Sequence, residues 1–188
     1  MRALNTALAA LSLLLPAPAA FAQNWPDHSI RLVVPFPAGG PTDIIARVVG
    51  QAMTDALGQP VVIDNRGGAG GVTGTDQVAK AAPDGHTLAL SSAGALSISP
   101  ALQRMPYNST KDLAPVTLVA KVPELLVVPA SSPAKALEDF IAAAKARPGA
   151  FNFASTGPGS MPHLAAELLK ATAKIDMVHV PYSGAAPA

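Results

Sequence analysis

The chain alternates between two hydrophobic patterns. Ile30 to Val34 is an unbroken β-branched or leucine run, as expected of a strand covered on both faces. Pro35 and Pro37 stop it, and Gly39-Gly40 supplies a tight turn with backbone N–H groups turned outward. Apolar residues then recur at Ile45, Val48, Val49, Ala52, Met53 and Ala56, which predicts one face of a helix. Thr42 or Asp43 is placed to cap that helix, and Gly58 to end it. A glycine turn at a helix start offers unpaired donors and partial positive charge, which suits an anion. A tight connection without a ligand is an equal reading of this segment.

The unit repeats. Pro60 to Asp64 reads as a second strand, followed by Gly67-Gly68-Ala69-Gly70-Gly71 and a short helix over Thr73 to Ala81. Pro83-Asp84-Gly85 is a turn, and Thr87 to Ser91 a third strand. Such alternation predicts an α/β fold with parallel sheets, helices on both faces and ligands at the carboxyl ends of the strands. The loops at Gly39-Gly40, Gly67 to Gly71 and Ser91 to Gly94 all fall at that end.

The alternation breaks in the middle. Pro115 to Lys121 and Glu124 to Val128 read as two strands with only Val122-Pro123 between them. They fit either an extended crossing between two lobes or a β-hairpin within one domain. The pattern then resumes. Ser132-Pro133 opens a helix with Leu137, Phe140, Ile141 and Ala144 on one face, ended by Pro148-Gly149. Phe151 to Ser155 is a strand, and Ser155 to Ser160 a glycine loop. The next helix turns Leu164, Ala165, Leu168 and Leu169 inward, and Met177 to Val180 is the last strand.

The N-terminus adds a compartment. Met1-Arg2, the apolar run Ala7 to Leu15 and the Ala20-Phe21-Ala22 site predict a cleaved signal peptide over residues 1–22 and an exported, periplasmic chain. Composition narrows the partners. There is no cysteine, hence no disulfide or thiolate metal site. A net charge of +1 without a basic cluster argues against nucleic acid. Aromatic residues make up only 4% of the chain, so the core is expected to be aliphatic.

No catalytic set emerges. The glycine run at Gly67 does not fit a dinucleotide fingerprint or a phosphate-binding loop, and Ser155 and Ser160 lack a nucleophile elbow. Ser160 reads as a helix cap, His163 as a first-turn polar residue and His179 as a core histidine. His28 and His86 stand isolated near turns, and no histidine pair has metal-ligand spacing. No catalytic residue, metal or cofactor is expected.

Taken in order, Pro26, Ile30-Arg31-Leu32-Val33-Val34-Pro35-Phe36-Pro37-Ala38-Gly39-Gly40, Asp43 and Ala46-Arg47 resemble the opening of the Bug family. These are periplasmic solute receptors of tripartite tricarboxylate transporters. Gly58-Gln59-Pro60, Asn65-Arg66, Gly68-Ala69-Gly70-Gly71, Ala81-Ala82-Pro83-Asp84-Gly85 and Thr87-Leu88 continue the likeness. So do Tyr107, Asp112-Leu113, Pro115-Val116, Pro148-Gly149, Ala154-Ser155, Gly157, Gly159-Ser160, His163-Leu164, His179-Val180-Pro181-Tyr182 and Gly184.

The resemblance implies a two-lobed Venus-flytrap protein of the periplasmic-binding-protein type. Such a protein closes on a small carboxylate or related metabolite, hands it to membrane permease subunits, performs no chemistry and is a monomer when complete. It implies a first lobe over residues 23–114, crossing strands over 115–128 and a second lobe over 129–188. Carried over by position, Ala38, Gly39, Gly40 and Asp43 form the first contact loop, and Ser91, Ser92 and Ala93 the second. Ser155, Thr156, Gly157, Ser160 and His163 form the loop of the other lobe, with Tyr182 and Gly184 after its next strand. Family members continue beyond the final motif, so the second lobe is expected to be incomplete and the chain to be the N-terminal part of a receptor. A ligand sensor signalling to a membrane partner and a small exported hydrolase are the competing functions.

Overall fold

A computed structural model describes residues 24–188. The expected signal peptide over residues 1–22 and its cleavage site lie outside the described residues. β1 (Ile30–Val34) is the middle of a three-stranded parallel sheet, between β2 (Val61–Asn65) and β3 (Thr87–Ala89). Leu32 is in register with Ile63 on one side and Leu88 on the other. With both edges paired and both faces covered, Ile30, Val33 and Val34 are fully buried, as their apolar run predicts.

α1 (Pro41–Leu57) connects β1 to β2. It starts earlier than a Thr42 or Asp43 cap requires: Gly40 is the N-cap, Pro41 follows it, and no side chain caps the helix. Gly58, at φ +70°, ends it. The buried face also differs from the predicted one. Asp43, Ala46 and Gly50 are buried, whereas Val48 is 68% exposed and Ala52 and Ala56 lie outside. Gly50 sets this rotation, because a Cβ there would stand 3.0 Å from Ile63 Cδ1, so the helix approaches β2 along its small residues.

α2 (Val72–Ala79) joins β2 to β3. Gly74 lets it press on the end of β1, since a Cβ would meet Pro35 Cα at 2.8 Å and Arg66 O at 2.7 Å. A π-turn at Gly94–Ile98 and α3 (Ser99–Leu102) follow β3; the sequence pattern does not announce them beyond the Ser99-Pro100 pair.

Residues 115–128 contain no strand, contrary to the two strands read from the sequence. Val116, Leu118, Leu125 and Val127 are each at least 71% exposed. Apolar runs have strand propensity here, but among the described residues no strand lies beside them to complete a ladder.

The second sheet contains β4 (Phe151–Ser155) and β5 (Met177–Pro181), parallel and paired Phe153 to His179. α4 (Leu137–Ala146) precedes it and α5 (Met161–Ala173) connects its strands. α4 begins at Leu137 rather than at Pro133. Asp139 Oδ2 accepts the Lys135 and Ala136 N–H groups and fixes that start. Ala144, Ile175 and Met177 form the core, with Phe140, Ile141, Phe151, Phe153, Leu169 and Ala173 against it. Leu168 is 67% exposed and Ala165 lies outside, so only Leu164 and Leu169 of the predicted inner face of α5 turn inward. Among the described residues no helix is long and apolar enough to cross a membrane.

Candidate functional site

The carboxyl ends of the two parallel sheets meet. A methyl group on Gly157 would come within 2.9 Å of Gly70 N, and one on Gly70 within 3.0 Å of Pro158 O. A methyl group on Gly94 would stand 3.2 Å from Ser160 Cα, and Gly184 lies against the ring of Pro37. Side chains at these positions would hold the loops apart. The structure thus brings the Gly39-Gly40, Ser91 to Gly94, Ser155 to Ser160 and Gly184 segments into one region. It also adds the Gly67 to Gly71 loop, which the candidate site residues leave out.

In the first loop, Gly39 is at φ +84°, a conformation that favours glycine, whereas Gly40 is at φ −81° and carries no such demand. Ala38 and Gly39 are exposed and Gly40 is buried. Asp43 lies beneath the loop. Its Oδ2 accepts the Gly39 N–H at 2.9 Å and Arg47 Nε–H at 3.0 Å, while Oδ1 accepts Arg47 at 3.1 Å and Asn65 Nδ2 at 3.0 Å. Asn65 also donates to Phe36 O at 3.1 Å. The Arg47 guanidinium, then the Gly39 N–H, hold the Asp43 carboxyl down at about 2 despite its burial. Asp43 therefore shapes the loop, with both oxygens engaged by protein. The N–H groups of Thr42 and Asp43 in the first turn of α1 find no acceptor among the described residues.

Thr75 Oγ1 donates to Gly71 O at 2.8 Å, which leaves it to accept from Ser91 Oγ at the same distance. Ser92 Oγ accepts the Ala95 N–H at 3.4 Å, and Ala93 is exposed.

The loop of the second sheet is braced from within. Ser155 Oγ lies 2.6 Å from His179 Nε2 and accepts the Gly157 N–H at 3.1 Å. Ser160 occupies the N-cap position of α5, as read from sequence, but makes no cap hydrogen bond; its hydroxyl donates to Gly157 O at 2.6 Å. Gly159 N–H donates to His163 Nδ1 at 3.3 Å. Thr156 is half-buried, and Tyr182 N–H donates to Ser155 O at 2.9 Å while its ring stays 38% exposed.

His179, expected from its strand pattern to be a core histidine, is half-buried and outside the core cluster, with its ring stacked on Phe153 at 4.9 Å and on His163 at 4.2 Å. Burial, reinforced by His163, lowers its pKa. A cavity of about 210 Å³ opens beside this loop, walled by Ser99, Leu102, Gln103, Pro158, Gly159 and His163. Ser99 was not legible as a site residue. Its Oγ is buried without a hydrogen-bond partner among the described residues, and only the packing of α3 brings it there. A larger depression of about 410 Å³, between Leu96 and Thr110, holds none of the predicted site residues.

A fold of paired parallel α/β units with glycine loops meeting at their carboxyl ends defines a binding-protein architecture. Comparison with known proteins makes the class specific. Residues 45–188 match the tripartite tricarboxylate transporter family receptor, and the chain belongs to that family. It is 47% identical to protein BugT of Bordetella pertussis over 174 residues, covering 89% of this chain and 52% of BugT. It is 46% identical over 164 residues to a Pseudomonas protein encoded between tcbD and tcbE, covering 87% of this chain and 49% of that protein. The solved structure of MatC from Rhodopseudomonas palustris with bound malate is 38% identical and superposes with a TM-score of 0.81, over 87% of this chain and 56% of MatC. The chain spans about half the length of the curated relatives it matches.

Proposed function

We propose that this chain is the capturing part of a periplasmic receptor that holds a small carboxylate between the loops of its two sheets. The receptor then delivers the ligand to the membrane permease subunits of a tripartite tricarboxylate-type transporter. One observation carries the reading: the glycine loops and the first turns of α1 and α5 converge from two separate sheets. Unpaired backbone N–H groups and the helix ends there suit an anion, and small residues leave room for one. Family membership supports the same assignment, as does the malate held by MatC.

The Ser155–His179 pair raises a hydrolase as the competing reading. Three features weigh against it. Ser155 is 2% exposed, its oxygen is already engaged by Gly157 N–H, and the His179 ring stacks on Phe153 and His163 with no carboxylate hydrogen-bonded to it among the described residues. The chain performs binding, not chemistry.

Calorimetric titration of the purified protein with malate, adipate and citrate tests this. At least one should bind, and Gly39→Val should weaken that binding more than tenfold, about 1.4 kcal/mol. Failure of all three to bind, or affinity indifferent to Gly39→Val, would remove this loop from the site.

A further inference from the structure

At the opposite end of the first sheet, the segment before β1 meets the loop before β3. His28 and His86, far apart in sequence and isolated by its reading, stack at 3.7 Å with their rings 8° apart. Asp27 bridges the edges of the two rings, with Oδ1 at 2.6 Å from His28 Nδ1 and 3.2 Å from His86 Nε2. One oxygen and two imidazole nitrogens from these residues fall within 4.8 Å of one another.

His86 is the unusual member. Its side chain is 10% exposed, and neither ring nitrogen makes a hydrogen bond among the described residues. The 3.2 Å approach of Nε2 to Asp27 is short enough for an ion pair but off the line of a hydrogen bond. A buried imidazole with two idle nitrogens is costly unless something else engages it. Its backbone is fixed: His86 O accepts the Arg31 N–H at 2.7 Å, and its N–H donates to Asp84 Oδ1 at 2.9 Å. Trp25 packs edge-on to the ring at 5.8 Å.

The geometry points to a divalent-metal site built from Asp27, His28 and His86, suited to zinc with water completing the shell. Two imidazoles and a carboxylate are a zinc-type donor set. Ligand atoms around a tetrahedral zinc stand about 3.3 Å apart, given bonds of about 2.0–2.1 Å. The Asp27–His86 pair already has that spacing. The Asp27–His28 contact has to open by less than about 1 Å, which is easy because both side chains are 63% exposed. Rings in parallel planes cannot both point at one ion, so the His28 ring has to turn out of its stack on His86 to bring its lone pair to the shared position. Asp84 Oδ1 stands 3.7 Å from His86 Nδ1. That is beyond hydrogen-bond distance, and a closing movement of under about 1 Å would let Asp84 accept that N–H and leave Nε2 for the metal, as carboxylate partners of metal-bound histidines do. The ion would tie the entering chain to the first sheet, away from the glycine loops, so this site does not depend on the carboxylate reading.

The test uses the untagged protein and Zn²⁺ alone, by calorimetry, with Co²⁺ absorption reporting coordination. One ion per chain is expected, together with a rise in melting temperature. His28→Phe keeps an aromatic ring on His86 but removes a ligand at an exposed position, so it separates coordination from stacking without threatening the core. It should weaken Zn²⁺ binding at least tenfold, as should His86→Gln, and Asp84→Asn should weaken it about tenfold. Absence of one-to-one binding, or binding undiminished in His28→Phe, would overturn the site.

Discussion

The two parallel sheets are assembled from the same strand–loop–helix unit but bury it to different depths. β1 has a strand on each side, and its residues reach 0% exposure at Ile30, Val33 and Val34. β4 and β5 have only each other among the described residues; Val178 is 50% exposed, and no residue of α5 is fully buried. The cores differ in kind as well. Leu32, Val34 and Ala46 gather mainly aliphatic neighbours, including Val61, Ile63, Leu88 and Leu90, with Phe36 beside them. The second core draws on Phe140, Phe151 and Phe153, so the expectation of an aliphatic core holds only for the first sheet. Large rings cover more area per residue, which suits a sheet with few strands. A parallel strand becomes dry only when both of its edges and both of its faces are occupied.

The largest test of that contrast is a matched pair of leucines. Leu32→Ala is expected to cost about 2–5 kcal/mol, because it opens a cavity in the three-stranded sheet. Leu168→Ala, on the exposed side of α5, is expected to change stability by less than about 0.5 kcal/mol. Denaturant unfolding of both variants would expose a false contrast if the two losses were equal.

Next in size is the seam between the sheets. Gly157 is at φ +117° and faces Gly70 N. Gly157→Ala should cost about 1–3 kcal/mol through backbone strain and loop separation. Amide exchange should rise at Gly70 and Gly71 as well as in the substituted loop. Faster exchange confined to residues 155–160 would show that the loops do not support each other.

The smallest effects separate the sheets by pH. The folded Asp43 pKa, about 2, lies below its ordinary 3.8. Its contribution is complete above 3.8 and is lost as pH falls through about 2. The size is on the order of 1–2 kcal/mol, discounted because Arg47 is half-exposed. His179, held low first by burial and then by His163, acts in another window. The unfolded state gains protons first as pH falls through 6.5, so stability falls there and levels off below the folded pKa. His163, Glu167 and Lys170 are the charged or titratable groups around it. Melting curves from pH 7.5 to 5 should drop for the parent and flatten in His179→Gln. A parent curve flat across that range would contradict the lowered pKa of His179.

Much of the loop geometry was readable because glycine and proline act locally. The loops at Gly39, Gly68 to Gly71 and Gly157 to Gly159 need no partner to announce a turn, and several of these glycines adopt positive φ. The role of Asp43 was not readable. A carboxylate at the start of a helix can cap, bind or brace, and only the arrival of Asn65 and Arg47 at its two oxygens decides for bracing. Ser99 and the His28–His86 stack were hidden for the same reason: their neighbours come from distant segments.

The sequence by itself determined where β1 and β4 begin and end, the parallel α/β class and the clustering of turns at one end of the strands, because apolar runs and φ preferences are local properties. The tertiary structure alone decided which side of each helix faces inward and whether an apolar run becomes a strand. The stripe on α1 permitted several orientations, and Gly50 against Ile63 selected one. Residues 115–128 have strand-like composition but lie unpaired, because a ladder needs hydrogen-bonding groups from a second segment.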